Sequence, residues 1–305
     1  MFLDVLIQVV ILMVLIGIGV IFTYAGALTE EGVKSITNIV VTIVTPCVII
    51  KSFMREFSAK QLKGLLLSFL ITACVHILFI VLSRIMLHSK DKSRERIMLA
   101  AAVFSNCGFM SIPLQQSILG DMGVFYGSSY IAIFNLFLWS YGIMTVSGDK
   151  KFLTPKKLVI NPGMIGLVLG LAVFLFSVKL PSVISEPISY IAALNTPLPM
   201  IIIGYHLTKS NVIKALFNPA CMLTVASRLI ILPSVALGLL YLCGVRGVML
   251  VSSVISCSAP SAAMTTMFAS KYGGDTDFSV DVVSLSTVFS LITMPILITI
   301  AKYLA

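Results

Sequence analysis

The sequence predicts an all-α membrane protein: ten transmembrane helices in a 5+5 inverted repeat, with helices 4 and 9 broken. Three observations carry this. Of the 305 residues 58% are hydrophobic and 11% charged, with a mean hydropathy of +1.07, where a soluble domain carries about 25% charged residues. The charges punctuate ten apolar stretches. Features of the first half recur in the second at a constant offset. A water-soluble globule is excluded, so length here counts membrane spans rather than cores.

The apolar stretches run 5–29, 35–50, 64–83, 97–120, 122–148, 158–178, 187–208, 215–245, 247–270 and 282–301. Most approach the roughly 20 residues needed to cross a 30 Å hydrocarbon layer, and the short second one is extended if Lys51 snorkels to the headgroups. Ala25-Gly26-Ala27 imitates a signal-peptidase site. However, Asp4 and the lack of a basic leader make the first stretch a retained span. The longest interruption, 147–157, holds Lys150, Lys151, Lys156 and Lys157 and divides the chain into 1–150 and 151–305.

Loops after the odd-numbered spans hold thirteen Lys and Arg, and the other face holds seven. The positive-inside bias therefore puts both termini outside the cytoplasm, in a cytoplasmic or inner membrane. The net charge of +9 is read as topology rather than as a nucleic-acid footprint. All six cysteines lie in apolar runs, so neither a disulfide framework nor a CxxC metal site is visible.

At an offset of 151 residues Gly19 falls on Gly170, Thr45-Pro46 on Thr196-Pro197, Lys63 on Lys214 and Ser105 on Ser256. A five-span unit is odd, so its second copy enters from the opposite side. Span 4 reads Ser105-Asn106-Cys107-Gly108-Phe109-Met110-Ser111-Ile112-Pro113, and span 9 holds Ser256-Cys257-Ser258-Ala259-Pro260. Each puts small and polar residues and a proline at mid-membrane depth. Proline removes an amide donor, so the freed backbone groups need partners in protein or water. Half-helix N-termini at such breaks favour an anion. Simple proline kinks are the competing reading for either helix alone, and their coincidence in the repeat weighs against it. Thr45-Pro46 and Asn195-Thr196-Pro197 are read as packing kinks, with Asn195 the member facing a cavity. Gly166 and Gly170 form a GxxxG pair, read as close helix packing.

No acidic residue falls at the centre of an apolar stretch, so the carboxylate that often serves a proton or sodium relay is missing. The deep ionisable groups are His76 and Arg228. A buried Arg must face the bundle interior. Carbonyls or a bound anion could pair with it, and snorkelling or capping a broken helix end is the structural alternative. His76 is read as satisfied by a carbonyl.

The run Ser105-Asn106-Cys107-Gly108-Phe109-Met110-Ser111-Ile112-Pro113-Leu114 resembles the Asn-x-Gly-x-x-x-x-Pro segment of the auxin efflux carrier family, and the resemblance covers the whole span layout. It implies that spans 1, 2, 6 and 7 form a scaffold that dimerises, and that spans 3 to 5 with 8 to 10 form a moving transport unit. It also implies that spans 4 and 9 cross at a carboxylate site, with Asn106 a substrate contact and Pro113 the break that shapes it. Plant members can use an amide side chain in span 9 where this chain offers Ser256, Cys257 and Ser258, which argues against auxin itself.

The resulting expectation is a secondary carrier of small organic anions such as malate or malonate, not an enzyme, working by alternating access. The expected site comprises Asn106, Cys107, Gly108, Pro113, Asn195, Arg228, Ser256, Cys257, Ser258 and Pro260. No cofactor or metal is expected, and a coupling ion, H+ or Na+, is left open. A channel-like facilitator and a membrane receptor that binds a carboxylate without moving it are the alternatives.

Overall fold

The computed structural model describes residues 2–149, 151, 161–209 and 212–305. The basic run of the central linker, with Lys150, Lys156 and Lys157, lies outside the described residues. Eleven helices organise the rest: α1 (Phe2–Tyr24), α2 (Glu30–Phe53), α3 (Ala59–Met86), α4 (Lys92–Val103), α5 (Cys107–Ser147), α6 (Pro162–Leu175), α7 (Ser182–Thr208), α8 (Pro219–Leu242), α9 (Gly247–Ser258), α10 (Met264–Tyr272) and α11 (Thr276–Leu304). A single turn, Val212–Leu216, precedes α8.

Helix starts follow the short polar residues between apolar runs. Thr29, Ser58, Asp91, Asn161, Asn218 and Asp275 each accept a hydrogen bond from an amide of the following first turn, meeting donors that the helix itself leaves unpaired. Pro162 and Pro219 occupy first positions, where a missing amide costs nothing.

Prolines farther inside leave a different mark. The turns Val40–Val44, Cys107–Ser111 and Ser227–Ile231 are wide π-type turns, and each ends two residues before a proline: Pro46, Pro113 and Pro233. The proline ring cannot tolerate the carbonyl four residues back, so bonding shifts by one residue. Thr45 donates to the Val40 carbonyl and Leu232 to that of Ser227, both five residues back. The chain stays helical through all three.

Among the described residues seven helices are, by length and composition, apolar and long enough to cross a membrane: α1, α2, α3, α5, α7, α8 and α11. The difference from ten lies in local geometry. Sequence spans 4 and 5 run together in α5, which joins two helices across a kink at Gly120, whose φ of +62° and ψ of −157° are non-helical and open to glycine. Span 9 is divided between α9 and α10, and span 6 begins outside the described residues. The outer surface is apolar, with Val14, Ile21, Leu70, Ile85, Val168, Phe217 and Ile292 all exposed. Such a surface belongs in lipid, not water. The chain is a multi-pass helical membrane protein.

Two helix pairs pack backbone to backbone. A Cβ on Gly19 of α1 would collide with the Ile201 backbone of α7, and one on Gly204 with the Ile16 carbonyl of α1. On the other side, a Cβ on Gly166 would lie 2.7 Å from the Pro46 Cα, and one on Gly170 would lie 3.0 Å from the Phe53 ring. The GxxxG pair is thus a close contact between α6 and α2. Phe53 continues into a cluster with Phe125 and Phe174, at 4.7 and 6.2 Å between ring centroids. Gly204→Val forces α1 and α7 apart, and overpacking of this kind costs about 1–3 kcal/mol. The variant's thermal midpoint in detergent will fall, whereas Gly17→Val, with open space around it, will match wild type.

Candidate functional site

Two interior interruptions of the helical chain meet. After α4 it runs extended through Phe104, Ser105 and Asn106 before α5 begins, and after α9 it runs through Ala259, Pro260 and Ser261 towards α10. The two extended pieces pair antiparallel at Ser105 and Ser261. Asn106 N donates to the Pro260 carbonyl at 2.7 Å and Ala262 N to the Phe104 carbonyl at 2.9 Å. Helix breaks would otherwise leave these groups unpaired in a medium without water, and each break supplies the other's partners. Ser261 locks the crossing, its hydroxyl donating to the Ala101 carbonyl at 2.9 Å and its amide to the Ser286 hydroxyl at 3.1 Å.

The break in span 4 falls at Phe104–Asn106, ahead of Pro113. Pro113 sits inside α5 just after the π-type turn that accommodates it. Pro260, by contrast, is in the extended segment itself, where its missing amide costs no helical bond.

Four helix ends meet at this crossing. The C-termini of α4 and α9 lie to one side and the N-termini of α5 and α10 continue from it. Arg228, fully buried, reaches the two C-termini from α8. Its Nε donates to the Ala259 carbonyl at 2.9 Å, its Nη1 to those of Ala102 and Val103 at 2.9 and 3.1 Å, and its Nη2 to that of Cys257. The Phe79 ring lies 5.4 Å from its centre. Of the readings open for Arg228, the geometry displays the carbonyl cluster, and with it the capping of two broken helix ends.

At the N-terminal ends Asn106 caps α5, its Oδ1 accepting from Phe109 N at 3.3 Å. Gly108 has open space where a Cβ would stand. Helix α10 starts from Ala263 with no side-chain cap.

The predicted residues divide by position. Asn106, Cys107 and Gly108 form the start of α5, and Pro260 pairs with it. Ser256, Cys257 and Ser258 form the last turn of α9 and are buried there. Ser256 accepts from Gln115 Nε2 at 2.8 Å, while Ser258 turns back to the Ile255 carbonyl at 3.4 Å. Asn195 lies in the break of α7, buried, with its Oδ1 unpartnered. Next to it, Thr196 lines a 170 Å3 cavity with Gln8, Pro113, Gln116 and Ser117, between α1, α5 and α7. His76 holds the Thr72 carbonyl at 2.9 Å through Nδ1 and stacks on Phe137, which matches the structural reading.

Sequence reasoning missed Gln115 and Ser261. Gln115 is buried on α5 and its Nε2 also donates to the Ser252 carbonyl and hydroxyl, each at 3.1 Å. A polar side chain two residues after Pro113, aligned with the serines of span 9, was the available signal. Gln115→Ala strands the serine acceptors and opens a void, each an expensive change in a packed interior. The loss of stability is ~2 kcal/mol or more by that reasoning, measured as a drop in thermal midpoint.

Among the described residues no group of three or more His, Cys, Asp or Glu could hold a metal ion. The fold and site define a polytopic helical membrane protein built around two interrupted, back-to-back helices. The profile of the family described as Membrane transport protein matches residues 4–154 and again 149–298. The chain belongs to this family, that of the auxin efflux carriers. It is 26% identical over 291 residues to an uncharacterized transporter of Methanothermobacter thermautotrophicus, covering 93% of this chain and 94% of the relative. An uncharacterized transporter of Methanocaldococcus jannaschii is 27% identical over 300 residues, at 94% and 95% coverage. Auxin efflux carrier component 1 of Arabidopsis thaliana is 27% identical over 146 residues, 46% of this chain and 23% of that protein.

Proposed function

We propose that the protein is a secondary transporter of small organic anions, mono- or dicarboxylates, working by alternating access around the crossing of spans 4 and 9. The observation that carries this reading is the pair of helix N-termini, α5 and α10, continuing from one crossing. Each carries about half a positive charge at its first turn. Asn106 Oδ1 is held by Phe109 N, which leaves the Nδ2 amide to donate to a carboxylate. Cys107 and Gly108 give backbone approach, and the open space at Gly108 admits a substrate oxygen. The Pro260 carbonyl fixes Asn106 N at the crossing, Ser256, Cys257 and Ser258 back it from the buried last turn of α9, and Thr196 borders the neighbouring cavity.

The architecture proposed with it is ten spans in inverted repeats over 1–150 and 151–305. Two features support it: the family profile matches twice in tandem, and α1 packs on α7 as α6 packs on α2, each through glycines. Those four helices form the scaffold, through which two copies associate, and the remainder carries the crossing. The host is a cytoplasmic or inner membrane, with both termini outside.

Counterflow in proteoliposomes tests the carrier. Labelled malate, malonate, succinate and lactate are offered with unlabelled acid inside. One acid will enter saturably with acceleration from the far side, and Asn106→Ala will cut that uptake about tenfold, the loss of one charge-assisted hydrogen bond. Uptake without acceleration would make the protein a channel. Carboxylate binding unchanged in Asn106→Ala would remove the site. Topology has its own check: alkaline phosphatase fused at the C-terminus will be active, and a cytoplasm-dependent fluorescent fusion there dark.

A further inference from the structure

Four carbonyl oxygens, from Ala102, Val103, Cys257 and Ala259, converge on one buried point at the back of the crossing. They come from the ends of two helices. Each end carries about half a negative charge, so the pair sums to about −1. No Asp or Glu forms an ion pair with Arg228 among the described residues, and Arg228 itself has no exposed surface. Carbonyl oxygens in a dry pocket with a net negative potential are the donor set of a monovalent hard cation. The guanidinium brings +1 and enough fixed donors for all four.

We propose that this carbonyl cluster is a cation site occupied by the protein's own side chain: Arg228 is a tethered cation, and the crossing assembles without a bound sodium or potassium ion. The inference rests on the transporter reading for its consequence, which is that no free metal cation moves through this point of the transport cycle. Arg228 is a positioning residue here. It holds the α4 and α9 ends together, which fixes where the α5 and α10 amides begin. Loss of its side chain leaves a vacant, cation-selective cage.

The test is chemical rescue of purified Arg228→Ala in detergent, read as thermal midpoint. The variant will lose ~5 °C or more. Millimolar guanidinium will restore about half of that loss saturably, as a ligand bound only by the folded state does. Urea, a neutral molecule of the same shape, will not, and wild type will respond to neither. A variant as stable as wild type, or one that guanidinium and urea affect alike, would overturn the proposal. Should Arg228→Ala fail to fold, Arg228→Lys and Arg228→Gln decide. Lysine keeps the charge and must give the higher midpoint; glutamine equal to or above lysine would overturn the charge balance. Stability in detergent is independent of uptake. A wild type that moves no carboxylate would therefore sink the anion reading and leave this one standing, and the reverse outcome is equally separable.

Discussion

Two helices that end inside a membrane protein create a problem of polar backbone groups in a dry medium, and the rest of this structure is organised around its solution. The extended pieces at Ser105 and Ser261 satisfy each other as an antiparallel bridge. The carbonyls behind them converge on the Arg228 guanidinium. Neither device suffices without the other. The bridge pairs the groups in the break itself, whereas the last carbonyls of α4 and α9 point backwards along their helix axes and need a donor approaching from behind. Helix α8 supplies it, and the wide turn Ser227–Ile231 ahead of Pro233 carries the arginine.

This division gives the crossing two electrical faces. At the back, negative helix ends meet a fixed positive charge, so that side is neutral and closed. On the opposite side the N-termini of α5 and α10 have no corresponding carboxylate in the chain, since no acidic residue lies at the centre of an apolar stretch. The uncompensated potential there is positive. In a low-dielectric interior such a potential is stronger than at a water-exposed helix end, which is the physical basis of the anion reading proposed above.

Much of this was legible in residue types. Small polar residues and proline in spans 4 and 9 announced the breaks, because such residues are costly in lipid unless the backbone finds partners. Gly166 and Gly170 announced a close contact, and Arg228 announced a buried role. Other features were hidden for physical reasons. Arg228 is paired with backbone carbonyls, which every residue has, so no partner could be named from sequence. Pro113 looked like the break, yet a π-type turn absorbs its ring and the chain opens earlier, at Phe104–Asn106. Gln115 and Ser261 act through contacts between segments 137 to 160 residues apart, which a single sequence does not pair. The helix count differed for a similar reason. At Gly120 the backbone leaves helical geometry and two helices meet across a kink, so the two spans that charge and hydropathy mark there lie within one long kinked segment.

The same contacts indicate where the molecule resists motion and where it yields. Glycine-mediated packing of α1 on α7, and of α6 on α2, brings backbones so close that no side chain fits; sliding these pairs would demand reordering along their whole length. The crossing is tied by backbone hydrogen bonds and by a four-carbonyl guanidinium cap, which hold the facing ends of α4, α5, α9 and α10 together. Between these rigid parts lies the 170 Å3 cavity bordered by Gln8, Gln116, Ser117 and Thr196. Its bounding helices meet there through side chains, with Gln8 accepting from Ser117 across the gap. Side-chain hydrogen bonds around a void can be exchanged one by one, at far lower cost than a backbone seam. The packing of α1, α5 and α7 is therefore most easily rearranged along this cavity, which α5 lines from Pro113 to Ser117.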